Sequence, residues 1–333
     1  MGPPHGGFLL GCLLLYLALQ PLPASAVPVN FSQNFQPYWA PDHISTSLDG
    51  GPLRLTLDNT SGCGFASRKT YLFGQVSVQI KLVEGDSAGT VTAFYVSSVF
   101  FFCSGGQGVC RRAAALIKKF HYMSSAGDNH DELDLEFLGN VSGEPYLLQT
   151  NVYVNGTGNR EQRHSLWFDP TTDFHSYAVF WNRYHIRILV DGIPIRVFEN
   201  KEAGGVPYPK QQPMGIYGSV WNADDWATQG GRVKTNWTHA PFVTAFRSFD
   251  IDACEAAAAA APGAVDDGAA AGYCGGGDDG GGRRQAWWDA PGMAGLSPHQ
   301  RRQLKWARAK HLVYDYCRDA ARFAQGMPGE CLG

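Results

Sequence analysis

Between residues 31 and 252 apolar and polar residues alternate in short runs broken by turn residues, and that period of two commits the region to β-sheet. Leu53-Arg54-Leu55-Thr56-Leu57 alternates strictly, and Gln75-Val76-Ser77-Val78-Gln79-Ile80-Lys81-Leu82 repeats the pattern. The run 150–154 ends at Asn155-Gly156, and 177–181, 185–190 and 193–198 read as a meander with Asp191-Gly192 as a tight hairpin turn. Alternate side chains of a strand share a face, so each run offers one face to a core and one to its surroundings. Many short strands with evenly spaced turns predict an all-β sandwich or jelly roll. At 333 residues and 44% hydrophobic, the chain can bury a sizeable core.

The flanks read differently. Residues 1–26 have the form of a secretory signal peptide, with an apolar run over 8–19 and Ala24-Ser25-Ala26 as the cleavage site. That run is too short to span a bilayer, and no other stretch is apolar enough, so no membrane partner is expected. The β-region is taken as 27–252. The Ala-, Gly- and Asp-rich segment 253–285 reads as a low-complexity loop, and 286–333 as a C-terminal extension. Within the extension, Ser297-Pro298 resembles a helix start, and the spacing predicts a helix over 297–322 with Leu304, Ala307, Leu312 and Tyr316 on one face.

Cysteine usage fits an exported chain. Cys254, Cys274, Cys317 and Cys331 allow three pairings, of which the short loops make Cys254–Cys274 and Cys317–Cys331 the simplest. Cys63 reads as a lone buried thiol. No CxxC spacing points to zinc, so neither metal nor cofactor is expected. A formal net charge of -3 leaves no footprint for nucleic acid. Nine Trp and fourteen Tyr suit stacking on sugar rings, or simply aromatic strands. Asn30, Asn59, Asn140, Asn155 and Asn236 stand in glycosylation sequons.

One run carries chemistry. In His130-Asp131-Glu132-Leu133-Asp134-Leu135-Glu136-Phe137, a strand puts Leu133, Leu135 and Phe137 on one face and Glu132, Asp134 and Glu136 on the other. Adjacent like charges lie roughly 6.5–7 Å apart along the strand. Their repulsion raises pKa, so at least one carboxyl should stay protonated near neutral pH. Glycoside cleavage needs that division: an ionised carboxylate to attack the anomeric carbon and a protonated one to release the leaving oxygen. The bland alternative is the solvated acidic face of an ordinary strand. A calcium site lacks looped ligands here.

The run from His130 to Asn140 resembles the signature of plant xyloglucan endotransglucosylase/hydrolases, members of glycoside hydrolase family 16. The likeness extends to Gln149-Thr150-Asn151-Val152-Tyr153, to Asn159-Arg160-Glu161, to the segment 219–231 around Trp221-Asn222-Ala223-Asp224-Asp225-Trp226, and to Leu304-Lys305-Trp306, Tyr316-Cys317 and Arg322-Phe323. The resemblance implies a curved jelly-roll β-sandwich with an open substrate cleft and a short C-terminal helical extension. It implies Glu132 as nucleophile, Glu136 as acid/base and Asp134 as supporting carboxylate. Substrate contacts would come from Glu136, Gln149, Thr150, Asn151, Asn159, Arg160, Glu161, Asp225, Trp226, Gly230 and Arg322, although Gly230 reads better as a backbone device. Asn140 would carry a glycan. The implied protein is a secreted, monomeric enzyme of the cell wall and apoplast, with xyloglucan as donor and acceptor. A strict xyloglucan or β-glucan hydrolase, or a wall-glucan-binding protein catalytically impaired by the 96–122 stretch, is the alternative.

The chain departs from that pattern at 96–122. Tyr95-Val96-Ser97-Ser98 is followed by extra sequence before Tyr122-Met123-Ser124-Ser125 resumes the motif. The repeated Tyr-X-Ser-Ser and the foreign composition suggest a retained intron or gene-model error, against a genuine surface loop. Either would be expected to interrupt a buried strand just upstream of the carboxylates.

Overall fold

The computed structural model describes residues 31–46, 51–98, 129–256 and 286–332. The expected signal peptide, most of the 96–122 stretch, Cys274 and most of the low-complexity loop lie outside the described residues. A one-turn helix α1 (Phe31–Asn34) leads into strands β1 (Phe35–Trp39), β2 (Ile44–Thr46), β3 (Leu53–Leu57), β4 (Cys63–Ser67), β5 (Tyr71–Lys81), β6 (Thr90–Ser97) and β7 (Glu132–Leu138). Then follow β8 (Leu147–Tyr153), β9 (Gln162–Ser165), β10 (His175–Trp181), β11 (His185–Val190), β12 (Ile193–Glu199), β13 (Gly215–Asn222) and β14 (Phe242–Glu255). Helix α2 (Pro298–Lys310) and strand β15 (Leu312–Asp315) complete the extension.

Among the described residues the strands form two antiparallel sheets. One is eight-stranded in the order β1-β4-β13-β6-β7-β8-β9-β15, the other seven-stranded in the order β12-β11-β10-β5-β14-β3-β2. Their facing sides make the expected sandwich. Leu133, Leu135 and Phe137 are fully buried in the core between the sheets. Phe137 meets Tyr177 of β10 edge-on, with ring centroids 4.6 Å apart. The two hairpin signals hold: Asn155-Gly156 and Asp191-Gly192 both take positive φ at both positions, as a tight primed turn requires.

Two expectations are corrected. The extra sequence does not break a strand. β6 pairs with β7 without a register shift from Val91↔Leu138 to Ser97↔Glu132. One residue further, the Ser98 N–H donates to the Asp131 carbonyl (2.9 Å) and the Asp131 N–H to Ser98 Oγ (2.8 Å). Val96, Ser97 and Ser98, the first residues of the 96–122 stretch, fill the end of the strand themselves, so its pairing with β7 is not interrupted. Second, the helix over 297–322 stops at Lys310. Its start is as read, with a capping box between Ser297 and Gln300. The Leu312–Asp315 run instead pairs with β9 at the sheet's edge, and Tyr316–Arg318 forms a 3-10 turn. An unpaired strand edge next to a β-branched and aromatic run outcompetes helical continuation. Cys317 and Cys331 are disulfide-bonded, and Cys254 is too. Cys63 is buried and free. No helix among the described residues is long and apolar enough to cross a membrane.

Candidate active site

Strand β7 is central in its sheet, with β6 on one side and β8 on the other. Its apolar parity is held by the core, so Glu132, Asp134 and Glu136 must project from the outer face. That face is not solvated as an ordinary exposed strand would be. Glu132 and Asp134 retain only 9% and 8% of their accessible surface. The trio instead forms part of the wall of a cavity of about 1000 Å³. In register across the ladder, Tyr95 and Asn151 flank Asp134, Ser97 and Tyr153 flank Glu132, and Ala93 and Gln149 flank Glu136.

Burial is the main cause of the site's electrostatics. It raises the pKa of Glu132, opposed by hydrogen bonds from Ser97 and Asp134. Asp134 is pushed well above the usual carboxylate range, first by burial and then by the charges of Glu132 and Glu136. The hydrogen bond between Asp134 and Glu132 raises the pKa of the former and lowers that of the latter, so of the two Asp134 is the readier to keep a proton. Glu136 is pushed up to about 7, again mostly by burial, against the hydrogen bond that Gln149 Nε2 donates to its carboxylate (2.8 Å). Burial thus raises all three neighbouring carboxyls, Asp134 well above the usual range and Glu136 to about 7, while hydrogen bonds from Ser97 and Asp134 work to keep Glu132 down. Among the described residues no cluster of His, Cys, Asp or Glu is arranged to bind a metal.

The remaining wall comes from flanking strands and from the extension. Gln149, Asn151 and Tyr153 share the outward parity of β8, and Asn159, Glu161, Asp225, Trp226 and Arg322 also line the cavity. Arg322 is tied down there: it pairs with Glu161 through both guanidinium nitrogens (2.6 and 3.0 Å) and donates to Asn159 Oδ1 (2.9 Å). Three expected contacts lie elsewhere. Thr150 has the opposite parity on β8, is fully buried, and accepts a bond from Arg196. Arg160 is buried against Glu330 at 2.5 Å and does not reach the cavity. Gly230 has φ of 69° with open space where a Cβ would stand, so its place is conformational, as the sequence suggested.

Several lining residues escaped the sequence reading: Ala93, Tyr95, Tyr153, Arg163, Trp221, Tyr314 and Asp319. Tyr153 could have been found by continuing the parity of Gln149 and Asn151. Tyr95 needed the β6–β7 register, and Tyr314 needed the capture of β15 by β9. Tyr95 belongs to a phenol cluster, stacked on Tyr217 at 5.0 Å and hydrogen-bonded to Tyr38 at 3.1 Å.

The profile for glycosyl hydrolases family 16 matches residues 31–100 and 113–239, and that for the xyloglucan endo-transglycosylase (XET) C-terminus matches 282–331. Xyloglucan endotransglucosylase protein 6 of Diospyros kaki is 55% identical over 301 residues, covering 90% of this chain and 88% of that protein. Xyloglucan endotransglucosylase/hydrolase protein 9 of Arabidopsis thaliana is 48% identical over 324 residues, covering 97% and 96%. Among solved structures, a Bacillus licheniformis β-glucanase superposes with a TM-score of 0.48 at 23% identity, covering 66% of this chain and 92% of that one.

Proposed function

The chain belongs to the xyloglucan endotransglucosylase/hydrolases of glycosyl hydrolase family 16, and from that premise we propose that it cuts the β-1,4-glucan backbone of xyloglucan and joins the new end to another xyloglucan chain or to water. The supporting observation is the placement of Glu132, Asp134 and Glu136 on one face of β7 in the wall of the cavity, with Gln149 donating to Glu136. In this reading Glu132 is the nucleophile. Its carboxylate oxygen bonds the anomeric carbon as the glycosidic bond breaks, and the Glu136 proton passes to the departing O4. Asp134 supports Glu132 by its hydrogen bond. Glu136, now ionised, takes the proton of the incoming 4-hydroxyl or water as that oxygen displaces Glu132.

Which acceptor wins depends on how well a sugar chain is held against water. Trp226 and Trp221, with ring centroids 6.0 Å apart in the cavity, offer faces on which a sugar could stack. Asn151, Gln149, Asn159, Glu161 and Asp225 offer hydroxyl partners. We take the enzyme to act as a secreted monomer in the plant cell wall, with a glycan at Asn140. The test is incubation with xyloglucan and a labelled xyloglucan oligosaccharide. Label entering polymer supports transfer, whereas reducing ends without incorporation would leave hydrolysis alone. No turnover of either kind, with wild-type binding in Glu132→Gln, would overturn the enzymatic reading.

A further inference from the structure

Arg163 stands in β9, in register with Gln149, and was not anticipated as part of the site. Its Nε–H donates to Gln149 Oε1 at 2.7 Å, and Gln149 Nε2 donates to the Glu136 carboxylate at 2.8 Å. A primary amide has one acceptor end and one donor end. With its oxygen held by a guanidinium, it can offer Glu136 only its N–H. Without Arg163 the amide could turn over and set its carbonyl against a carboxyl group. Arg163 is itself held by the C-terminal extension: its guanidinium lies 5.6 Å from the Tyr314 ring of the edge strand β15. Tyr314 in turn donates to Asp319 at 2.8 Å and accepts from Arg322 at 3.2 Å.

We propose that Arg163 is a positioning residue for the acid/base step, acting through the Gln149 amide to orient Glu136 and keep a single donor on its carboxylate. The proposal rests on the assignment of Glu136 as the acid/base. The charged and titratable groups around Glu136 are Glu132 and Asp134 on its own strand, Tyr153 on β8, Arg163 on β9, and Glu161 in the turn before it. Of these Arg163 is the cation, and both it and the Gln149 bond favour ionised Glu136. The C-terminal extension therefore bears on proton transfer through Tyr314 as well as on the shape of the cleft.

The test compares Arg163→Met and Arg163→Lys with wild type, on the full chain, using kcat/KM against pH. Two donors are needed: a xyloglucan oligosaccharide, whose leaving group needs a proton, and an aryl glycoside of the same oligosaccharide with a leaving group that does not. Arg163→Met should lose roughly tenfold or more on the first donor and much less on the second. Its basic limb should move upward by about one pH unit. Arg163→Lys, which keeps the charge and a donor, should restore the limb toward wild type. Equal losses on both donors, carried in KM with an unmoved limb, would make Arg163 a plain substrate contact and overturn the proposal. If Arg163→Met does not fold, Gln149→Met removes the bond to Glu136 while leaving Arg163 over Tyr314. An unmoved limb there overturns the proposal equally. Failure of the underlying assignment would look different, because Glu136→Gln would then keep full activity on the oligosaccharide donor.

Discussion

At the scale of single residues, the site works because burial is used against charge. Glu136 binds its proton in the fold up to about pH 7, against an ordinary value of 4.5. The folded state thus holds more protons than the unfolded one between those values, and stability falls as pH rises through that window. Glu136→Gln removes the penalty. It should leave stability at pH 4 nearly unchanged and raise it at pH 8 by about 1–3 kcal/mol, measured by urea unfolding at the two pH values. The same variant should lose at least about a hundredfold in kcat on xyloglucan, since proton donation is gone. In wild type, cleavage should decline above about pH 7 as Glu136 loses the proton it must give. A pH profile with no basic limb near that value would count against Glu136 as the acid.

At the scale of elements, the strand is the unit that assembles the site. Parity alone sorts β7 into a core set and a chemical set, and parity on β8 selects Gln149, Asn151 and Tyr153 over Thr150. The β6–β7 pair runs through Val96 and Ser97 at the start of the 96–122 stretch, where Met123 and Ser124 would stand after its removal. Deleting 96–122, so that Tyr95 runs into Met123-Ser124-Ser125, should therefore leave the Ser-Ser end of the strand chemically equivalent. The deletion variant should fold with a Tm no lower than that of the full chain and retain the transfer activity. A variant that precipitates would show that the stretch is integral to the fold. Strand capture also explains why the helix of the extension was read too long. Leu312 and Tyr316 fit a helical stripe, but the open edge of β9 offered Leu312–Asp315 a ladder of backbone bonds.

At the scale of the whole molecule, the extension and the sandwich share buried charge. Arg160 and Glu330 face each other with 8% of each side chain exposed. Arg160 also donates to the carbonyls of Val152 and Thr157, beneath the turn that borders the cavity. Removing one partner leaves the other charge desolvated and unpaired. Glu330→Ala should cost about 3–5 kcal/mol in urea unfolding, far more than an exposed ion pair would. Reducing Cys317–Cys331, which closes a loop of sequence separation 14, should cost about 3 kcal/mol and loosen the same segment. Arg322 lies within that loop and donates to Tyr314, so activity should fall under reductant before the sandwich itself unfolds, as followed by near-UV circular dichroism.

Much of this was legible in the chain, for a physical reason. A period of two is a local property, so the strands, the face each residue takes and the two Asn-Gly and Asp-Gly hairpins follow from sequence alone. The three carboxylates on one face of β7 are of that kind, as is the capped start of α2. What the chain does not carry locally is register and edge. Only pairing across β6, β7, β8 and β9 places Tyr95 and Asn151 beside Asp134 and Arg163 behind Gln149. Only the free edge of β9 turns residues 312–315 from helix to strand. The burial that raises the carboxyl pKa values likewise depends on which walls close around them, and those walls come from residues far apart in sequence.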